Sequence, residues 1–190
     1  MSRWAPDAAL RLERAALELF AAQGYAATTV PQITARADLT TRTFFRHFAD
    51  KREVLFLRER EFPTIVATLL GQAPASLSPL ALVMYGFEHI ATDGLDQIRH
   101  DLALRRRIVT SDTRLREREL LKSAVLADAI KKALTEQGTD ESTSALLSSF
   151  AVMLFDNAVN DWLDGNEDRT LLQVFRDTRT QMQHLIAARS

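Results

Sequence analysis

The sequence predicts an all-α protein of about nine helices. Apolar residues recur at helical spacing along most of the 190 residues, and no segment of useful length alternates polar and apolar side chains. Only six glycines and five prolines interrupt the chain, and they fall between the periodic segments. A hydrophobic content of 46% with 26% charged residues is typical of a globular protein, and no apolar run approaches a membrane span of roughly 20 residues.

The first helix is predicted from Asp7 to Gln23. Gly24 follows it at the position where helices commonly stop, because glycine adopts a left-handed backbone without a Cβ clash. The residues that share its predicted apolar face are Leu10, Ala15, Leu17, Leu19 and Phe20.

Two short helices are predicted next, joined by a three-residue turn. Thr29 is a good N-cap for the second helix, and Pro31 falls in its first turn, where the missing N–H costs nothing. That helix ends near Ala37, and Thr40 caps the third helix, predicted over 41–48.

The rest of the chain is also predicted to be helical. Asp50 caps a fourth helix, predicted over 51–70, which Pro63 should kink or divide in two. The segment 71–79, rich in proline, serine and glycine, is the clearest break in the chain. Five further helices are predicted at 79–92, 96–110, 112–137, 141–163 and 169–188. The stretch 146–163 is apolar around most of its circumference, which indicates burial in the core or at a subunit interface.

The third helix has two contrasting faces. At 100° per residue, Phe44 and Phe48 lie together, while Arg42 and Arg46 lie roughly opposite them. No carboxylate shares the outer face, so the two arginines repel each other unless an anion binds them. DNA phosphates or guanine edges are suitable ligands. An ordinary solvated helix face is the alternative.

The charge distribution agrees with an anionic partner for this end of the chain. The formal net charge is −1, but residues 1–60 carry 10 Lys and Arg against 7 Asp and Glu. The excess is small. A mild basic patch of this kind can suffice for nucleic-acid binding when two copies act together.

The segment 10–57 resembles the N-terminal domain of the tetracycline-repressor (TetR) family of bacterial transcriptional regulators. The residues that carry the resemblance are Leu19, Phe20, Gly24, Tyr25, Thr28, Thr29, Val30, Ile33, Ala37, Phe44, His47, Phe48 and Lys51. It implies a three-helix DNA-binding domain at 1–50 and an effector-binding and dimerisation domain at 51–190. It also implies a homodimer formed through the last two helices.

The resemblance also assigns DNA contacts. It implies that phosphates contact Thr29, Thr43, His47 and Lys51, that the bases face Thr41, Arg42, Phe45 and Arg46, and that Thr40 belongs to the same DNA-binding set. Asp38 stands where the family favours a turn glycine, and Asp tolerates the left-handed conformation. Phe45 replaces a common tyrosine, so only apolar contact remains there and the reading by Arg42 gains weight.

The second half is similar to a TetR subgroup linked to acyl-CoA-like effectors, through residues 104–108, Ser111, 115–116 and 162–165. This implies a small hydrophobic or acyl-CoA-like effector. Its candidate contacts are Phe87, Arg107, Phe150, Met153, Asn157, Asp161 and Trp162. Asn157 and Asp161 share a face and serve either a ligand or the dimer interface. The arginines between 105 and 118 either form a lip for an anionic effector or pair with acidic residues along their own helices.

Other classes of function find little support in the sequence. There is no Gly-rich phosphate loop, no catalytic serine or metalloprotease motif and no cysteine, so we expect no enzyme, metal or cofactor. The absence of a signal peptide and of cysteine favours the cytoplasm. We therefore predict a ligand-responsive repressor that binds a palindromic operator as a homodimer. The alternative is a helical partner-binding module, or a small-molecule-binding protein without DNA activity. The sequence does not identify the operator, the regulated genes, the effector or the sign of regulation.

Overall fold

A computed structural model describes residues 8–74, 76–165 and 168–187. In this part of the chain it has nine α-helices and no strand, which confirms the all-α prediction. The helices are α1 (Ala8–Gln23), α2 (Val30–Arg36), α3 (Thr41–His47), α4 (Phe62–Gln72), α5 (Pro79–Thr92), α6 (Arg99–Ser111), α7 (Thr113–Glu136), α8 (Glu141–Asp164) and α9 (Leu171–Ala187). Two predicted helix ends, Asp7 and Ala188, lie outside the described residues.

The chain folds into two compact units, and neither is a single stretch of sequence. The first unit takes in the chain up to Arg60 together with Asp101–Glu119. The second takes in Glu61–His100 and everything from Leu120 onward. In the structure, residues 51–60 and 101–119 fold with the N-terminal helices. The division into a DNA-binding domain and an effector domain at residue 50 stays a prediction.

The core of the first unit is built on α1. Leu12, Ala16 and Phe20 are buried there, together with Phe44 and Phe48 from α3 and its end. The prediction that Leu10 lies on the apolar face is wrong, because 45% of its surface is exposed. The helix instead turns Leu12, Glu13, Ala16 and Leu17 inward, which centres its buried face about a quarter turn from Leu10.

Both short helices begin as their caps predict. The Thr29 hydroxyl accepts the Gln32 N–H while the Gln32 side chain accepts the Thr29 N–H, which is a complete capping box. The Thr40 hydroxyl accepts the Thr43 N–H at 3.1 Å. Asp38 adopts φ 52°, so the left-handed turn survives without glycine, as expected.

The prediction of a fourth α-helix over 51–70 is wrong over its first half. Residues Arg52–Phe56 and Arg58–Glu61 are short 3₁₀ segments, and the α-helix begins only at Phe62. Pro63 therefore lies in the first turn of α4 instead of its middle, where its ring would clash with the preceding turn. Lys51 occupies the N-cap position of the first 3₁₀ segment, and the carboxylate of Asp50, one residue earlier, accepts the N–H groups of Arg52 and Glu53 at 2.7 and 3.2 Å.

The second unit packs α8 against α5 and α9. The rings of Phe87, Phe155 and Phe175 meet at its centre, with 4.6 Å between the centroids of Phe87 and Phe155. Trp162 is also buried, and its indole N–H donates to the Arg169 carbonyl at 3.1 Å. By length and composition alone α8 could cross a membrane, but a buried core helix has the same composition, and α8 contributes eight buried residues to this core.

Candidate nucleic-acid interface

The outer face of α3 is exposed and cationic, while its inner face is fixed in the core. Phe44 and Phe48 are buried, with ring centroids 5.2 Å apart. Arg42 and Arg46 lie on the opposite side of the helix and are exposed. Phe45 is also exposed, although its ring centroid lies 5.4 Å from that of Phe44. Phe45 keeps 55% of its surface accessible although it is apolar. The buried pair fixes the rotation of the helix, so these three side chains have a defined direction.

The polar side chains of α3 differ in how firmly they are held. In the described part of the chain, nothing is hydrogen-bonded to the Arg42 guanidinium. Arg46 lies 3.3 Å from the His47 Nε2, and the hydroxyls of Thr40 and Thr43 are 2.9 Å apart. Because Arg42 has no internal partner to give up, a guanine edge or a phosphate would gain its full charge-assisted hydrogen bonds.

Thr29 is exposed at the start of α2, but its hydroxyl is already engaged. It donates to the Gln32 Oε1 at 3.0 Å and accepts the Gln32 N–H at 3.4 Å. The side chain of Gln23 adds a third link, donating to the same Gln32 oxygen at 3.2 Å. A phosphate that binds Thr29 would therefore compete with this network.

The ammonium group of Lys51 is not free to bind a phosphate, because it is held by groups of the protein. Its ammonium donates to the carbonyls of Tyr25 and Thr28, both at 2.7 Å, and lies 4.2 Å from the centre of the Tyr25 ring. Burial lowers the pKa of Lys51, which the charge of Asp112 opposes. Burial, reinforced by Asp50, raises the pKa of Tyr25 to about 12.

Residues 101–119 complete the first unit by packing against the segment that follows α3. Arg105 donates to the Leu55 carbonyl at 2.6 Å and pairs with Glu119 at 2.5 Å. Arg118 pairs with Glu53 at 3.1 Å. Both guanidinium groups lie about 5 Å from the centre of the Phe56 ring, at 5.0 and 4.8 Å.

These contacts can be compared with the two interpretations of the arginines between 105 and 118, a lip for an anionic effector or pairing with acidic residues along their own helices. Arg105 and Arg118 hold the first unit together, through partners 14 to 65 positions away in sequence. Both guanidinium groups are engaged inside the unit, so neither is available as a lip for a ligand. The sequence did not predict these partners, because partners so distant in the chain leave no periodic signal.

The candidate effector residues are divided between the two units. Arg107 is exposed in the first unit, whereas the other six lie in the second. Of these six, Phe87 and Trp162 are buried and Phe150 is half-buried, while Met153, Asn157 and Asp161 are exposed on α8. The Asn157 amide donates to the Met153 carbonyl at 2.8 Å. A shallow groove between α8 and α9 includes Asp161 and Trp162.

A turn that joins two short helices, the second of which presents arginines away from the core, is the arrangement of a helix-turn-helix unit. Comparison with known proteins agrees. Residues 13–57 match the family of bacterial regulatory proteins of the tetR type. The HTH-type transcriptional regulator TcmR of Streptomyces glaucescens is 41% identical over 80 residues, which cover 42% of this chain and 35% of TcmR. The similarity to the TetR family of transcriptional regulators therefore lies in the segment that carries the two short helices and their turn.

Solved structures extend the similarity of fold to nearly the whole chain. FadR from Thermus thermophilus, a TetR-family repressor solved with lauroyl-CoA, matches with a TM-score of 0.58 at 22% identity, covering 94% of this chain and 93% of its own. FadR from Bacillus subtilis, solved with stearoyl-CoA, matches with a TM-score of 0.52 at 20% identity, covering 89% and 94%. At this identity the likeness concerns the fold alone. The match to TcmR spans about a third of that relative's length.

Proposed function

We propose that this regulator is a ligand-responsive repressor that binds a palindromic operator as a homodimer in the cytoplasm. The observation that carries the proposal is the outer face of α3, where Arg42, Phe45 and Arg46 are exposed around a helix whose rotation is fixed by Phe44 and Phe48. Each copy places Thr41 to His47 in a major groove. The dimer then reads two half-sites about one helical turn, or a multiple of it, apart.

Base reading centres on Arg42 and Arg46. A bidentate arginine–guanine pair is the commonest specific contact in the major groove, and each good pair discriminates by about 1–3 kcal/mol. Phe45 offers an apolar surface suited to a thymine methyl group. Thr29, Thr40, Thr43, His47 and Lys51 form the surrounding set that contacts or positions the phosphate backbone.

Selection of bound DNA from a random library tests the DNA assignment. We expect an inverted repeat to be enriched, and we expect Arg42→Ala to bind it about 5- to 150-fold more weakly with relaxed preference at one position per half-site. Lys132→Ala is the control, because Lys132 is an exposed lysine on α7 that pairs with Glu136 at 3.9 Å. Binding of Arg42→Ala with wild-type affinity and sequence preference would contradict the assignment, and no enrichment by the wild type would favour the partner-binding alternative.

Dimerisation through α8 and α9 is supported by apolar side chains that these helices leave exposed. Leu146 and Met153 on α8, and Leu185 and Ile186 on α9, are between 45% and 71% exposed. A shallow depression on α9 is lined by Asp177, Thr180, Gln181, His184 and Leu185. We expect Leu185→Glu to give a monomer by light scattering, while Leu80→Glu, a similarly exposed leucine on α5, leaves the dimer intact. Equal masses for the two variants would exclude this face.

The effector is proposed to be a small hydrophobic or acyl-CoA-like molecule bound in the second unit. The proposal is supported by the two FadR structures with acyl-CoA, which share the fold, and by the apolar cluster of Phe87, Phe155 and Phe175. Such a ligand would release DNA only through its differential affinity for DNA-competent and incompetent conformations of the dimer.

Fluorescence anisotropy of labelled operator, titrated with lauroyl-CoA and stearoyl-CoA, tests the effector class. Free CoA and free laurate are the controls that separate head-group from acyl-chain recognition. We expect release by acyl-CoA and a higher melting temperature in its presence. If none of the four compounds changes either signal, the acyl-CoA assignment fails, while the DNA assignment stands on its own test.

A further inference from the structure

We infer that Lys51 is a positioning residue for DNA binding: it clamps the α1–α2 loop so that Thr29 faces a phosphate, and it is not itself a phosphate ligand. This inference rests on the proposed operator binding, and it revises the role that the sequence suggested for this lysine. The geometry of the ammonium group carries it.

The first step is the occupancy of the ammonium donors. A lysine has three N–H donors, and two of these reach the carbonyls of Tyr25 and Thr28 at 2.7 Å. The Tyr25 ring lies 4.2 Å from Nζ on a further side. Lys51 is thus directed into the protein by three contacts. A ligand for the DNA backbone would instead keep its donors toward solvent.

The second step concerns what the clamp fixes. The peptide group between Thr28 and Thr29 is planar, with its C=O and N–H pointing in opposite directions. Its carbonyl accepts from Lys51, and its N–H donates to the Gln32 Oε1 at 2.8 Å. The plane is therefore held at both edges, and the backbone direction at Thr29 is determined.

The third step concerns the rest of the loop. Thr28 is buried, and its hydroxyl donates to the Gly24 carbonyl at 2.8 Å. Gln23 donates to the Thr28 hydroxyl at 3.1 Å. These bonds are local to the loop, whereas Lys51 comes from the segment after α3. Lys51 therefore links the start of α2 to the segment that follows α3.

A double-mutant cycle on full-length protein and the selected operator tests the inference. We expect Thr29→Val to weaken binding about 2- to 10-fold in the wild type, as the loss of one hydrogen bond would. In a Lys51→Met background the same change should weaken binding by less than about 2-fold, because Thr29 is no longer positioned. If Lys51 only stabilised the fold, a Lys51→Met protein that is folded and can be saturated with operator would lose the same factor of affinity on Thr29→Val as the wild type does.

Salt dependence provides the second measurement. A lost phosphate contact lowers the slope of log affinity against log salt by about 0.9, whereas a lost clamp leaves it nearly unchanged. Independent effects in the cycle, or a slope lowered by about 0.9, would overturn the inference. Lys132→Met controls for removal of a remote charge. Should Lys51→Met melt below the assay temperature, Lys51→Gln, which keeps a shorter donor, goes through the same cycle.

The outcomes separate this inference from the proposed function. If the wild type binds no operator, the proposed function fails first. If it binds and Arg42→Ala loses base preference, but Thr29 and Lys51 act independently, only the positioning role is lost.

Discussion

The ion pair between Glu13 on α1 and Arg58 predicts an asymmetric response to mutation. The Arg58 guanidinium donates through Nε to both carboxylate oxygens, at 3.0 and 3.1 Å, and a second nitrogen lies 2.9 Å from Oε2. The Glu13 side chain is 6% exposed, whereas that of Arg58 is 31% exposed. Removal of the arginine therefore strands a carboxylate in the core, while removal of the carboxylate leaves an arginine that reaches water.

Arg58→Met should lower the free energy of unfolding by about 3 kcal/mol, near the lower end for a broken buried pair because Arg58 is partly solvated. At about 2–4 °C per kcal/mol for a chain of this size, the melting temperature should fall by roughly 6–12 °C. Glu13→Gln, which keeps the shape and an acceptor, should lower that free energy by about 1 kcal/mol. The double change to Met at both positions should be near neutral, because it leaves no unpaired charge.

Thermal unfolding followed by circular dichroism measures these shifts. Arg36→Met is the matched control, because Arg36 pairs with Glu18 at 2.6 Å on the surface, with side chains 60% and 44% exposed. A surface pair of this kind contributes about 0–1 kcal/mol. If Arg58→Met and Arg36→Met melted within about 2 °C of each other, the reasoning from burial would be refuted.

Three further predictions concern the turn, the recognition helix and a charged network in the second unit. Asp38→Ala should lower the free energy of unfolding by about 1 kcal/mol relative to Asp38→Gly, because φ is 52° and only glycine adopts it freely; chemical denaturation of both variants checks this. Phe45→Tyr should tighten operator binding about 2- to 10-fold by adding a hydroxyl within reach of the backbone, without changing the selected sequence; tighter binding with a changed sequence would refute the backbone role. Arg176 and Arg179 each lie 2.7 Å from Glu88 and hold the pKa of its carboxyl group below the ordinary value of 4.5. The stability that these ion pairs contribute is therefore complete above pH 4.5 and is lost as the pH falls through the pKa of Glu88 in the folded state. Arg176→Gln should flatten the fall in melting temperature below pH 4.5.

The helices could be predicted from the sequence where local signals decide them. Thr29 with Gln32, Thr40 and Gly24 are capping and stop residues whose effect is local, and the end of α1 and the starts of α2 and α3 follow from them. Asp38 could be assigned to the left-handed region for the same reason. The 3₁₀ segments at 52–61 could not, because apolar spacing there suits either helix type and tertiary packing selects between them.

The roles of individual cations were less predictable. The exposure of Arg42 and Arg46 followed from helix periodicity, because the position of two phenylalanines fixes the opposite face. Lys51 and Arg105 instead donate to backbone carbonyls 23 to 50 positions away in the chain. A carbonyl is present at every residue, so no sequence pattern marks the one that a cation will reach.

The discontinuity of the first unit has a consequence for how the protein is made. The core that contains Leu12 and Phe44 also contains Ile108, Val109 and Leu115. Glu53 forms its ion pair with Arg118, which lies 65 residues further along the chain. At about 5–20 residues per second, some 3 to 12 seconds of synthesis separate residue 60 from residue 119. During that interval α3 has been synthesised, but residues 101–119, which complete the core of its unit, have not. A nascent chain arrested near residue 60 should therefore lack a finished DNA-binding surface, and operator binding should begin only after the start of α7 has emerged.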